Sequence, residues 1–121
     1  MQGQAKDIMT RAVATAAPGD DVWAVADRLV AEGYGGMPVL DEGGALVGMV
    51  SGFDLLSKRG ATIGEVMSRG VVFLDESAAL DEVIELMGIH GIRRVPICAD
   101  GRLVGIISRS DLLRQAVSQR A

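Results

Sequence analysis

The chain has 121 residues, 12 Lys and Arg against 16 Asp and Glu, and a formal net charge of −4 at pH 7. Its hydrophobic share of 49% is enough to build a core, yet its apolar runs fall far short of the roughly 20 residues that span a bilayer, and the polar residues 1–7 do not read as a signal peptide. A single cysteine excludes an internal disulfide and suits a reducing cytoplasm, one His with one Cys cannot form a Cys/His zinc cage, and an acidic balance with 3% aromatic residues argues against nucleic acid as a partner.

The predicted elements begin with a short leader carrying the apolar pair Ile8-Met9, then a short strand over residues 13–16. Pro18-Gly19-Asp20-Asp21 turns the chain and supplies a carboxylate to cap a helix start. The next helix has apolar positions at Val22, Val25, Ala26, Leu29 and Val30, the i, i+3, i+4, i+7 spacing of one buried stripe, and stops at Gly33. Strands over residues 37–40 and 45–50 flank the turn Asp41-Glu42-Gly43-Gly44, with Pro38 placed at the strand start, where a missing N–H costs least. Ser51 opens a second helix. The same order then recurs: a leader with Val66-Met67, a strand over 71–74, and a cap segment Asp75-Glu76-Ser77. A helix striped by Leu80, Val83, Ile84 and Met87 ends at Gly91. Strands over 95–98 and 103–107, the first opened by Pro96, flank Asp100-Gly101, and a final helix starts at Ser108. Asp-Gly between apolar runs is a strong hairpin signal, because both residues tolerate positive φ.

The second series is the first repeated. One displacement lays Asp7-Ile8-Met9-Thr10 on Glu65-Val66-Met67-Ser68, Gly33 on Gly91, and Met37-Pro38-Val39 on Val95-Pro96-Ile97. Past the longer first turn a displacement shorter by one residue lays Leu46-Val47-Gly48 on Leu103-Val104-Gly105, and Ser51 and Asp54 on Ser108 and Asp111. The chain therefore divides into two repeats, 1–58 and 59–121, each a β-α-β-β-α unit too small to bury its helices alone.

This duplicated unit resembles the CBS domain family, named after cystathionine β-synthase. The carriers are Gly48-Met49-Val50-Ser51-Gly52-Phe53-Asp54-Leu55-Leu56 and Gly105-Ile106-Ile107-Ser108-Arg109-Ser110-Asp111-Leu112-Leu113, with the two leaders. The resemblance implies an α/β (α+β) fold of tandem CBS repeats packed about a pseudo-two-fold axis, a Bateman module. Such a module binds adenosine-type ligands (AMP, ADP, ATP, S-adenosylmethionine or NAD) in clefts between the repeats, and requires no cofactor. It dimerises through the helices of both repeats and regulates a separate effector protein as an energy sensor.

Two readings stand side by side at Ser51-x-x-Asp54 and Ser108-x-x-Asp111. Each is a capping box, in which Ser accepts an N–H and the acid reaches back. A carboxylate in a first turn also accepts bonds from both hydroxyls of a ribose, while the Ser hydroxyl and helix-start N–H groups suit an anion; the resemblance favours ribose contact at both aspartates. Arg93-Arg94 is the sharpest asymmetry, since its counterparts are Gly35 and Gly36. Strand alternation turns one arginine to each face. The pair is either solvated or a fork for phosphate, and the resemblance puts it in one cleft with Asp54, leaving the Asp111 cleft weaker or empty. The resemblance also makes Val13, Thr15, Val71 and Phe73, with Met9, Pro38 and Pro96, the wall for adenine; the same residues, like Ile8 and Met67, read equally as core.

No catalytic residues and no metal ligands emerge. His90 ends a helix, where it complements the dipole; Cys98 reads as a small buried hydrophobe; Trp23, just off the buried stripe, reads as either a core residue or a dimer anchor, the anchor being favoured. A ligand-binding regulatory module is thus expected rather than an enzyme, with a ligand-free dimerisation scaffold as the alternative.

Overall fold

The computed structural model describes residues 1–120. In chain order the elements are α1 (Ala5–Ile8), α2 (Val22–Glu32), β1 (Gly36–Leu40), β2 (Leu46–Ser51), α3 (Gly52–Ser57), α4 (Ile63–Val66), β3 (Leu74–Asp75), α5 (Leu80–His90), β4 (Arg94–Ala99), β5 (Arg102–Ser108) and α6 (Arg109–Gln119). They form two compact units: Ala14–Val71, and Met1–Val13 with the segment from Val72 onward. The sequence reading expects the repeats to meet at 58/59. In space each hairpin keeps the leader of the other repeat, so α1 belongs with β4–β5 and α4 with β1–β2.

In the unit 14–71, Asp21 caps α2 by accepting from Trp23 N and Ala24 N, and Gly33 closes the helix in the left-handed conformation at φ 71°. Val25 and Leu29 bury the face expected of the stripe, whereas Val30 is 84% exposed. They pack with Met37, Val39 and Val50 of the antiparallel β1–β2 hairpin and with Ile63, Val66 and Met67. Fully burying each such aliphatic side chain stabilises the unit by about 1.5–3 kcal/mol. The α4 leader is fixed to β2 by reciprocal bonds between Met49 and Ser68.

The other unit repeats this plan with Leu80, Val83 and Met87 of α5 against Val95, Ile97 and Ile107, closed by Ala5, Met9 and Leu112. Ile84, expected in the stripe, is left partly exposed. Thr10 and Ile106 exchange the bonds that Ser68 and Met49 make. The Asp-Gly turn has both residues at positive φ, Asp100 at 51° and Gly101 at 78°.

The first strand of each repeat is shorter than expected. Residues 13–16 contribute a single parallel bridge, Ala16 to Val39, and of 71–74 only Leu74 is strand, in the two-residue β3 (Leu74–Asp75) parallel to β4. The prolines supply the reason. Pro38 and Pro96 occupy the third positions of β1 and β4, not the strand starts, opposite Met49 and Ile106. Ala16 N donates to Pro38 O and Leu40 N to Ala16 O. The next rung toward residue 14 needs an N–H that Pro38 lacks, and Pro96 truncates β3 in the same way.

Candidate functional site

The strand-to-helix junctions place the serines and aspartates. Ser51 leaves β2 extended (φ −116°, ψ 165°) and its hydroxyl accepts from Asp54 N, starting α3. Asp54 Oδ2 accepts from Ser51 N at 2.9 Å and Ser51 Oγ at 3.0 Å. Oδ1 accepts from Lys58 Nζ at 2.9 Å and Ser68 Oγ at 3.4 Å. Asp54 is a buried acid, 7% exposed. Burial by itself raises its carboxyl pKa, but the bonds from Lys58 and Ser51 outweigh it and hold the group below the ordinary aspartate range.

In the other unit Ser108 starts α6 identically: its hydroxyl accepts from Asp111 N at 3.1 Å, and Asp111 Oδ2 accepts from Ser108 N at 2.8 Å. Here the cation is Arg114, one turn on and exposed. Capping is therefore realised at both positions. The first N–H of each helix is not available for an anion, since Gly52 N donates to Gly35 O and Arg109 N to Arg93 O.

That last bond ties the arginine pair to the start of α6. Arg94 lies opposite Ser108 in the β4–β5 ladder and is half-buried, while Arg93 is exposed, as strand alternation requires. Arg93, Arg94, Ser108, Asp111, Pro96, Met9, Val13 and Phe73 thus fall in one unit; Ser51, Asp54, Pro38, Thr15 and Val71 fall in the other. Of the proposed adenine wall, Met9, Pro38 and Pro96 are buried, Val13, Thr15 and Val71 are half-buried, and Phe73 is exposed. The glycines that correspond to the arginines in the other repeat differ in kind. A Cβ on Gly36 would lie 2.7 Å from Val50 O, while Gly35 faces open space.

Two features escape a reading of the sequence. Lys58 and Ser68 complete the Asp54 carboxylate; the signal is the i, i+4 Asp–Lys spacing and the serine of the second leader. Gly48 and Gly105 matter for closeness: a Cβ there would meet Met67 Sδ at 2.7 Å and Met9 Sδ at 2.6 Å respectively. The methionines of the leaders press on the hairpin backbones, so the core half of their two readings is realised.

Trp23 and Val30 on α2 and Phe53 and Leu56 on α3 are exposed. In the other unit, Ile84, Met87, Gly88, Leu112, Leu113 and Ala116 line an apolar groove of about 360 Å³ between α5 and α6. His90 is exposed in the last turn of α5, and Cys98 is buried, its thiol pushed up by burial and by the charge of Asp75. Among the described residues no three His, Cys, Asp or Glu converge to hold a metal, and no helix is long and apolar enough to cross a membrane.

The sequence pattern of the CBS domain matches residues 5–60 and again 63–118. The chain is similar to the Bacillus subtilis protein YlbB, 33% identical over 96% of this chain and 84% of that one. Its fold is similar to CBSX2 in complex with AMP (TM-score 0.89, 28% identity, 95% and 96% of the two chains). It is also similar to the CBS domain pair of protein MJ0100 in complex with 5′-methylthioadenosine and S-adenosyl-L-methionine (TM-score 0.86, 30% identity, 98% of both chains).

Proposed function

The chain belongs to the CBS domain family, as a tandem pair, and from that premise we propose that it is a regulatory module sensing an adenosine-type ligand: AMP, ADP, ATP, S-adenosylmethionine or NAD. The observation that carries the reading is the duplicated Ser-x-x-Asp junction. At each, a carboxylate sits fixed at a helix start, held by its own cap. Asp54 and Asp111 are the ribose acceptors, with Ser51 and Ser108 orienting them. Arg93 and Arg94 are the phosphate partners, because a guanidinium fork matches phosphate oxygens. Val13, Thr15, Val71, Phe73, Met9, Pro38 and Pro96 supply the apolar contacts for adenine. The adenosyl complexes of CBSX2 and of the MJ0100 pair support the ligand class.

The output is a change in repeat or dimer geometry passed to a separate effector protein in the cytoplasm, with no chemistry performed on the ligand. Such a shift requires that the ligand bind one geometry more tightly than the other. The exposed Trp23, Phe53 and Leu56, and the α5–α6 groove, favour a homodimer through the helices. Those same faces favour a second reading, a ligand-free dimerisation scaffold. Thermal-shift measurements with the five ligands, repeated on Asp54→Ala and Arg94→Ala, separate the two. A stabilisation by at least one ligand that these variants diminish supports sensing; no shift with any of them leaves the scaffold.

A further inference from the structure

We propose that Lys58 sets the charge selectivity of the Asp54 acceptor, favouring adenosyl ligands that carry an anionic group over neutral nucleosides; this rests on the ribose role proposed for Asp54. The Asp54 carboxylate is saturated. Its two oxygens offer about four acceptor positions, and Ser51 N, Ser51 Oγ, Lys58 Nζ and Ser68 Oγ occupy four. A ribose diol finds room only when donors leave. The Ser51 bonds are part of the helix cap, closed within one turn. Ser68 makes a long bond at 3.4 Å, and Lys58 reaches back from the end of α3 with a side chain that is 42% exposed. These two are the donors that yield.

The consequence for Lys58 depends on the ligand. Its ammonium also donates to Val66 O at 3.1 Å, so displacement strips it of its carboxylate and leaves one neutral carbonyl. A neutral nucleoside returns nothing for that loss. A ligand bearing phosphate or carboxylate offers the displaced ammonium a new anion in exchange. Lys58 thus opposes adenosine while tolerating AMP.

Calorimetric titration with adenosine and with AMP tests this in an Asp111→Asn background, which disables the second acceptor. There Lys58→Met is expected to bind adenosine roughly two- to five-fold more tightly than its parent, the range set by one partly exposed ion pair. AMP gains less, so the preference for AMP falls. Lys58→Arg keeps the cation and the parental preference. Circular dichroism verifies the fold, with Lys58→Gln as the substitute variant if the methionine protein aggregates. An unchanged preference in Lys58→Met, or weaker adenosine binding, overturns the proposal with the ribose reading intact. Failure of every protein, wild type included, to bind either ligand overturns AMP and adenosine as ligands of the Asp54 acceptor and the proposal with them.

Discussion

Replacing Gly105 with alanine sets a methyl carbon 2.6 Å from Met9 Sδ, 2.7 Å from its Cγ and 3.0 Å from its Cβ. Sulfur and Cγ can swing away, but Cβ is anchored to the backbone, and Thr10 next to it is bonded both ways to Ile106. The leader must therefore lift from the hairpin or β5 must give, an overpacking that costs about 1–3 kcal/mol. For a chain of this size that lowers Tm by about 3–5 °C per kcal/mol. Thermal and urea denaturation of wild type, Gly105→Ala, Met9→Ala and the double variant form a cycle. Met9→Ala alone removes a buried side chain, 7% exposed, at about 2–5 kcal/mol. In the Gly105→Ala background it also removes the clash, so the two changes are expected to be less than additive by about 1–2 kcal/mol. Strict additivity would refute the close approach and, with it, the assignment of the first leader to the second hairpin.

Arginine at position 35 meets open space and is expected within about 0.5 kcal/mol of wild type, whereas arginine at 36 must push Val50 O aside and costs about 1–3 kcal/mol; equal denaturation midpoints would contradict this. The acid limb of stability carries the Asp54 sign. Its folded pKa lies below the unfolded value of 3.8, so its contribution is present above that value and is lost as pH falls through the folded pKa. The stability gap between wild type and Asp54→Asn should therefore close on acidification below pH 3.8, as urea titrations read it. Ser108→Ala removes the cap of α6 and is expected to cost about 1 kcal/mol by the same measurement. Cys98, buried with its thiol pKa raised, should resist alkylation at pH 8 in the fold and react rapidly in urea.

The elements written by local chemistry were legible in the chain. Asp21 and Gly33 bound α2, Asp100-Gly101 makes the second hairpin turn, and the serines before Gly52 and Arg109 cap their helices, each through contacts a few residues apart. What was not legible depends on distant partners. The leaders fold as short helices and pair with the hairpin of the other repeat, which no periodicity encodes. Residues 13–16 and 71–74 carry strand composition, but Pro38 and Pro96 remove the donor that would extend their ladders. At the site, the aspartates and their caps were evident, as was the arginine asymmetry. The steric ground for that asymmetry was not, because the Val50 carbonyl that excludes a side chain at Gly36 comes from the opposing strand. Lys58 escaped notice despite its i, i+4 spacing to Asp54, and Ser68 reaches that carboxylate only because α4 folds back onto β2.

The most direct measurement is a calorimetric titration of AMP into wild type and into Asp54→Asn/Asp111→Asn. Asparagine preserves the shape of each junction while removing the charge that a ribose diol would meet. Saturable binding to wild type, weakened about ten-fold or more in the double variant as charged hydrogen bonds are lost, is the predicted result. Undiminished affinity in the folded double variant would contradict the assignment of these two carboxylates as the ligand's anchor.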